Sequence, residues 1–311
     1  MPTVIPTPAP VSNDQVQIRV ILGYDGLMGM MRSMPVIVEV SNQGPDLENA
    51  MLGVNVFSSP TVYDRYDVPL SLANGATKRY TMTLTPKVKQ DYYAFEIVSN
   101  DRILAEERVV PTKLVAPEAV LVGLLSANAQ PLTYFNIDPL VNLTLRSESW
   151  TTVALNADNF PSDANSMRAL SILVVDGMDV RTLTDAQRSA LVSWMQSGGI
   201  VILGGGTQAS VNYPYFAAWT GLESEGLEQV DDFSPVLADY AQLTVQAIGQ
   251  DCYRNLVVGG AEPLLSDGDV PLLFLTPVGN GLIYTTTFDL STKPMVTWSG
   301  ARGLWQRIIV A

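Results

Sequence analysis

The sequence predicts two domains, an all-β immunoglobulin-like (Ig-like) sandwich followed by a three-layer, flavodoxin-like α/β domain. Three observations predict this. At 311 residues the chain exceeds what one compact core usually serves. Its first third alternates polar and apolar residues with period two, in segments broken by turn residues. Beyond residue 117 the pattern changes to short continuous apolar runs and one amphipathic helical stretch, as in strands covered on both faces by helices.

The first dozen residues carry four prolines and no charge. Such a stretch forms neither helix nor sheet ladder, so 1–14 reads as an extended Pro/Thr-rich spacer. The Ig-like domain is expected over 15–112. Residues 15–22 alternate (Gln, Val, Gln, Ile, Arg, Val), and 34–41 do so before the turn residues Asn42, Gly44 and Pro45. Segments 51–57, 63–70, 78–85, 92–98 and 103–110 continue the pattern, separated by Pro60, Gly75 and the pair Asn100 and Asp101. Seven such segments about a dozen residues apart, with no helical stretch, predict an antiparallel sandwich.

Residues 113–117, between Pro111 and Pro117, read as a linker, and the α/β domain is expected over 118–311. Residues 119–125, 151–155, 171–175 and 200–203 are its apolar strands. The clearest helix lies between the last two. Thr184 is a good N-cap with Gln187 at the capping-box position, and Asp185 suits the positive helix end. Ala186, Ala190, Leu191, Trp194 and Met195 form its apolar stripe, and Gly198 and Gly199 end it. A strand–helix–strand unit of this kind implies a right-handed parallel crossover. Residues 271–276 and 281–287 flank a hairpin turn, and 298–310 read as a final helix.

Composition excludes several function classes. Net charge is −13 and the pI near 4.3. Such a surface repels nucleic acid and anionic lipid, whose binding rests on Lys and Arg neutralising phosphates. There is no histidine and one cysteine, Cys252. This removes His-based triads, imidazole metal sites, thiolate zinc sites and internal disulfides. No cofactor is expected. The Pro/Thr-rich start and the apolar stretch ending at Ala311 lead us to expect an extracytoplasmic protein, secreted or anchored through segments outside this chain. Asn142 begins a glycosylation sequon, relevant only in a eukaryotic secretory pathway.

Residues 170–177, 183–199 and 200–206 form a unit of strand, terminal aspartate, helix, Gly-Gly and strand that resembles class I glutamine amidotransferase-like domains. The closing stretch 278–290 is similar to their late hairpin. Residues 295–305 and the first domain resemble bacterial envelope proteins that join a cell-adhesion-related Ig-like domain to such a module. The resemblance implies a nucleophile elbow, G-x-C-x-G, and a His and Glu on a late strand. Here Gly206 stands where the cysteine would be and Asp289 near where the histidine would fall, while Cys252 lies away from any elbow. It therefore implies a pseudoenzyme.

The candidate ligand-binding residues are Asp176, Asp179, Gly204, Gly205, Gly206, Thr207 and Asp289, at the carboxyl ends of predicted parallel strands, where open α/β sheets bind ligands. The structural alternative is that the glycines permit tight turning and Asp176 caps local backbone donors. No Gly-Lys-Ser/Thr follows the triple glycine, which disfavours a phosphate loop. The resulting expectation is a non-catalytic binding or structural module of the cell envelope, meeting protein or glycan partners. A carboxylate-dependent glycan hydrolase using Asp176, Asp289 and Glu223 is the alternative. Tyr213, Tyr215, Phe216 and Trp219 are aromatic residues that could stack on a sugar or pack in a core. A third reading is a calcium-dependent adhesion module, because 223–269 holds ten carboxylates against one cation, Arg254. The spacing of Glu223, Glu225, Glu228, Asp231 and Asp232 fits no EF-hand loop, and Asp267 and Asp269 read as a hairpin turn.

Overall fold

Alternating side chains in the first third fold into strands that bury one face each. In order they are β1 (Val16–Leu22), β2 (Leu27–Gly29), β3 (Met34–Asn42), β4 (Leu47–Ser59), β5 (Val62–Leu72), β6 (Thr77–Leu84), β7 (Tyr93–Ser99), β8 (Arg102–Val109) and β9 (Lys113–Val115). The computed structural model describes residues 15–59, 61–136, 149–243 and 252–310. The spacer over 1–14 and the sequon at Asn142 lie outside them. The chain divides into two compact units, Met1–Pro117 and Glu118–Ala311.

In the first unit β1, β3 and β6 form one antiparallel sheet, and β5, β4, β7 and β8 a second. Val36, Val38 and Val40 of β3 are buried while Glu39 between them is exposed. Tyr93, Phe95 and Ile97 of β7 repeat the pattern from the other sheet. Residues 113–117 are not a bare linker. Lys113–Val115 pairs in parallel with Leu27–Gly29, and the Arg32 guanidinium donates to the Pro117 carbonyl through Nε at 3.2 Å and Nη2 at 2.5 Å.

The second unit runs β10 (Val120–Ser126), β11 (Trp150–Leu155), α1 (Ala164–Met167), β12 (Ile172–Asp176), α2 (Asp185–Gln196), β13 (Ile200–Leu203), α3 (Ala209–Thr220) and β14 (Leu222–Val230). It continues with α4 (Ser234–Ala241), β15 (Cys252–Gly259), β16 (Leu265–Asp267), β17 (Val270–Val278), β18 (Gly281–Thr286) and α5 (Ala301–Val310). Seven strands form one mixed sheet in the order β11, β10, β12, β13, β18, β17, β16. The first five are parallel, and β17 and β16 are antiparallel additions at the edge.

The expected fold class, with its flavodoxin-like three-layer α/β domain, is corrected by this architecture. The structure is β-rich, about 47% strand and 21% helix, with several sheets, one of them the seven-stranded mixed sheet. Between β11 and β12 the helical content is the single turn α1 together with its cap. The path from β13 to β18 carries a separate antiparallel ribbon, β14 with β15, and the β16–β17 hairpin. The sequence hid the ribbon. Its first strand, Leu-Glu-Ser-Glu-Gly-Leu-Glu-Gln-Val, reads as a solvated acidic stretch because only alternate residues are covered.

The α2 region folds as its sequence dictates. Thr184 Oγ1 accepts the Gln187 N–H at 3.3 Å and the Gln187 side chain accepts the Thr184 N–H at 2.9 Å, a complete capping box. Ala190, Leu191, Trp194 and Met195 are buried, whereas Ala186, in the first turn, is exposed, and Trp194 Nε1 donates to the Leu170 carbonyl at 3.1 Å. Behind the sheet, Val122, Leu124, Ile172, Val174 and Ile202 join a core completed by Phe135, Trp298, Leu304 and Trp305. Phe135 and Trp305 stack at 5.8 Å.

Candidate functional site

Three strand ends meet at the carboxyl edge of the parallel sheet: β12 ending in Asp176, β13 followed by Gly204, and β18 followed by Thr287, Phe288 and Asp289. The chain turns sharply after β13, and each backbone donor of that turn is taken by the protein itself. The Gly204 N–H reaches the Val175 carbonyl at 2.9 Å. The Gly205 N–H reaches the Phe288 carbonyl and Thr286 Oγ1, both at 3.1 Å. The Gly206 N–H reaches the Thr287 carbonyl at 3.0 Å and Asn255 Oδ1 at 2.9 Å. Thr207 gives both its N–H, at 3.0 Å, and its hydroxyl, at 2.5 Å, to Asp289 Oδ1.

The close approach explains the glycines. Gly206 has φ +58°, and a Cβ there would lie 2.6 Å from Asp289 Cγ. A Cβ at Gly204 would run into Asp176 Oδ1. At the position where the resemblance would put a nucleophilic cysteine, any side chain meets Asp289.

Asp176 and Asp289 are 2% and 0% exposed. Burial raises the Asp176 carboxyl to about 6, against a Ser291 hydrogen bond that lowers it and with the Asp289 charge raising it further. Burial also raises Asp289, opposed first by the Thr207 hydroxyl and N–H and then by Thr292 and the Gln208 N–H. Asp176 Oδ1 and Asp289 Oδ2 accept no hydrogen bond of good geometry. The Tyr134 phenol, raised by burial and by the Asp176 charge, donates to the Leu290 carbonyl at 3.0 Å.

Of the residues chosen from sequence, the structure brings Asp176, Gly204, Gly205, Gly206, Thr207 and Asp289 together. Asp179 has a different task. It caps the short turn Val180–Thr182, accepts the Arg181 N–H at 2.9 Å and pairs with the Arg181 guanidinium, which holds its carboxyl below the usual range. Two residues of this crevice, Asn212 and Asn255, escaped sequence reasoning, and Tyr213 was singled out only as one of an aromatic cluster. Asn212 of α3 accepts the Gly177 N–H at 3.0 Å and donates to the Gly204 carbonyl at 2.8 Å, tying two strand ends together. Asn255 and Tyr213 complete the wall, the Tyr213 hydroxyl donating to the Thr286 carbonyl at 2.6 Å. An amide inside an otherwise apolar helix and another within a strand were the available signals.

Other candidates lie elsewhere. Cys252 is buried at the start of β15. Phe216 is a core residue, while Tyr215 and Trp219 are partly exposed neighbours with ring centroids 5.7 Å apart. Tyr215 borders an open groove of about 550 Å³ lined also by Asp185, Arg188, Ser189, Val192 and Ser193. In the acidic stretch, Glu228 pairs with Arg254 across the ribbon, and the Asp232 side chain accepts the Ser234 N–H at 2.9 Å. Asp267, Gly268 and Asp269 make the turn between β16 and β17. Among the described residues, no three His, Cys, Asp or Glu side chains are grouped to hold a metal ion, and no helix is long and apolar enough to cross a membrane.

A family profile described as "Domain of unknown function (DUF8726)" matches residues 15–112. No curated protein matches the chain. Among solved structures, similarity extends to the exo-β-1,4-mannosidase Op5Man5 from Opitutaceae bacterium strain TAV5, at 10% identity and TM-score 0.37, covering 62% of this chain and 36% of that one. A putative β-galactosidase from Bacteroides fragilis matches at 9% identity and TM-score 0.23, covering 60% and 38%. The CARDB domain of PF1109 from Pyrococcus furiosus, in complex with di-metal ions, matches at 16% identity and TM-score 0.23, covering 34% of this chain and 95% of that domain. Two of these weak structural neighbours are thus glycosidases and one is a CARDB domain. The chain spans about a third of the mannosidase's length. None of these likenesses is to a glutamine amidotransferase, and none carries that resemblance further.

Proposed function

We propose that this chain is a non-catalytic binding or structural module of a bacterial cell-envelope protein, working outside the cytoplasm through protein or glycan contacts. The observation that carries the reading is the closure of the crevice. The N–H groups of Gly205, Gly206 and Thr207, which a ligand or oxyanion would need, already bond to Phe288, Thr286, Thr287, Asn255 and Asp289. Electrostatic stabilisation of a reacting group requires donors that are unoccupied and aimed at it. Here they hold the strand ends together. The groove beside Tyr215 offers a partly exposed aromatic ring next to Arg188 and two serine hydroxyls, groups suited to a sugar.

One observation favours the hydrolase alternative. Two buried carboxyls sit in one crevice with Asp176 raised to about 6, and glycoside hydrolysis uses two carboxyls with separated roles. A glycan panel tests both readings. Binding without turnover, weakened in Tyr215→Ala and unaffected in Asp176→Asn, supports the non-catalytic module. Turnover that collapses in Asp176→Asn and Asp289→Asn overturns it.

A further inference from the structure

In the first unit, the sheet of β5, β4, β7 and β8 turns one face to the core and leaves the other outside. Val54, Val56, Phe95 and Ile97 are buried, so the alternate residues Asn55, Phe57 and Glu96 lie on the outer face. Phe57 stands opposite Tyr63 in the β4–β5 register, and their rings meet edge to face at 5.7 Å. The β4–β7 register, continued past the pair Val54 and Phe95, brings Tyr92 to the other side of Phe57. The Phe57 N–H donates to Gln90 Oε1 at 3.1 Å, which holds the approach to Tyr92 in place. The Arg108 guanidinium braces the Tyr92 ring, 5.2 Å from its centroid. Tyr63, Phe57 and Tyr92 are 51%, 38% and 40% exposed, unlike the core aromatics of the same unit. Neighbouring strands lie about 4.8 Å apart, so the row of three rings spans roughly 10 Å.

A polar row runs beside the rings. Arg65 donates through Nε to Asp67 Oδ1 at 2.8 Å, and through Nη1 to Glu96 Oε2 at 2.9 Å and Asn55 Oδ1 at 3.1 Å. It lies across Gly53, where a Cβ would run into its guanidinium. Arg108 pairs with Glu106. Both guanidiniums are therefore neutralised within the face, which suits an uncharged ligand and offers little to an anionic one. The same bonds hold these side chains in place while leaving Asn55 Nδ2 as a donor and Asp67 Oδ2 as an acceptor. The apolar strip is one residue wide, too narrow for the apolar centre of a stable protein interface. We propose that the row of Tyr63, Phe57 and Tyr92 is a platform for an extended, uncharged glycan. The rings meet the C–H faces of successive sugars, and Asn55 and Asp67 meet their hydroxyls. The platform rests on the glycan contact proposed above and gives it a place on the first unit, in addition to the groove beside Tyr215.

The test titrates the intact chain with cellohexaose, mannohexaose and xylohexaose, and with the hexamer of galacturonic acid as the anionic counterpart. Calorimetry gives the affinities, and the ring-proton NMR signals of Phe57, Tyr63 and Tyr92 report the place. At least one neutral hexamer is expected to shift all three rings, with an affinity that stays constant as salt is raised. Tyr63→Ala and Tyr92→Ala, at exposed positions, are each expected to weaken that binding about tenfold with the thermal midpoint unchanged. Rings that no neutral hexamer shifts overturn the platform, as does tighter, salt-sensitive binding of the galacturonic acid hexamer. Ring signals that move with protein concentration alone assign the face to a second copy of the chain and overturn it too. The two readings fail separately. Binding lost in Tyr215→Ala but intact in Tyr63→Ala and Tyr92→Ala sinks the platform and keeps the non-catalytic module. Turnover of a hexamer, abolished in Asp176→Asn, sinks the non-catalytic module, while the ring shifts still decide the platform.

Discussion

Asp289 Oδ1 accepts the Thr207 N–H at 3.0 Å and the Thr207 hydroxyl at 2.5 Å, so a residue three beyond the end of β18 fills the turn after β13. An enzyme with its nucleophile on such a turn leaves that space for substrate and points the turn's N–H groups into it. Here a carboxylate from the chain itself stands there, and the N–H groups point at the protein. The bond between these two residues is what turns a crevice at the end of a parallel sheet into a packed corner.

Gly206 is the position where this packing leaves no room. Its φ is +58°, and an added Cβ would sit 2.6 Å from Asp289 Cγ, so both backbone and side chain resist substitution. Gly206→Ala is expected to cost about 2–4 kcal/mol, combining the left-handed backbone penalty with overpacking. Gly206→Cys behaves the same way and gains no hydrolytic or transferase activity. Urea unfolding midpoints of the two variants check the first claim, and a thiol-ester turnover assay the second.

Much of the local structure was legible. Thr184 with Gln187 specified the start of α2, and the triple glycine specified a turn whose tightness the structure explains through Asp176 and Asp289. The fold class of the second unit was not legible. Helix and strand periods identify single elements, but the order of strands in a sheet depends on which distant segments pair, and β14 with β15 carries no apolar run to announce it. The crevice was legible only in part. Asp176 and Asp289 stand at strand ends and could be guessed, whereas Asn212 and Asn255 reach the turn from a helix and a ribbon that one sequence does not place beside it.

The Asp176 carboxyl ties stability to pH. Burial raises it from 3.8 to about 6 in the folded chain, so the folded state binds more protons than the unfolded state between those values. Stability then falls as pH rises from about 4 to about 6 and stays at the lower level above, a loss on the order of 3 kcal/mol for this one group. Asp176→Asn removes that slope and exceeds the wild type in stability at about pH 8. Unfolding free energies at about pH 4.5 and about pH 8 for both proteins provide the check, and equal slopes would contradict it.

Asn212 contributes through two bonds that nothing else replaces. Its side chain satisfies the Gly177 N–H and the Gly204 carbonyl, and it is 1% exposed. Asn212→Ala leaves both backbone groups without a partner in a buried site, at a cost of roughly 2–5 kcal/mol. Asn212→Asp keeps the acceptor for Gly177 but loses the donor to Gly204 and adds a third carboxyl to the crevice, so it is expected to destabilise more at about pH 8 than at about pH 4.5. Thermal unfolding at the two pH values separates these outcomes.

The acidic ribbon makes the last prediction. Glu228 is paired with Arg254, the Asp232 side chain accepts the Ser234 N–H just ahead of α4, and Glu223 and Glu225 lie on an exposed strand with a register shift between Ser224 and Gly226. A calcium ion takes six to eight oxygen ligands converging on one point, and side chains spread along a strand in this way do not converge. The midpoint of thermal unfolding is therefore expected to be the same in calcium and in excess chelator, since a ligand that binds the folded state would raise it with concentration. A chelator-reversible rise, abolished in Glu223→Gln with Glu225→Gln, would instead assign the ribbon to a calcium-dependent adhesive role.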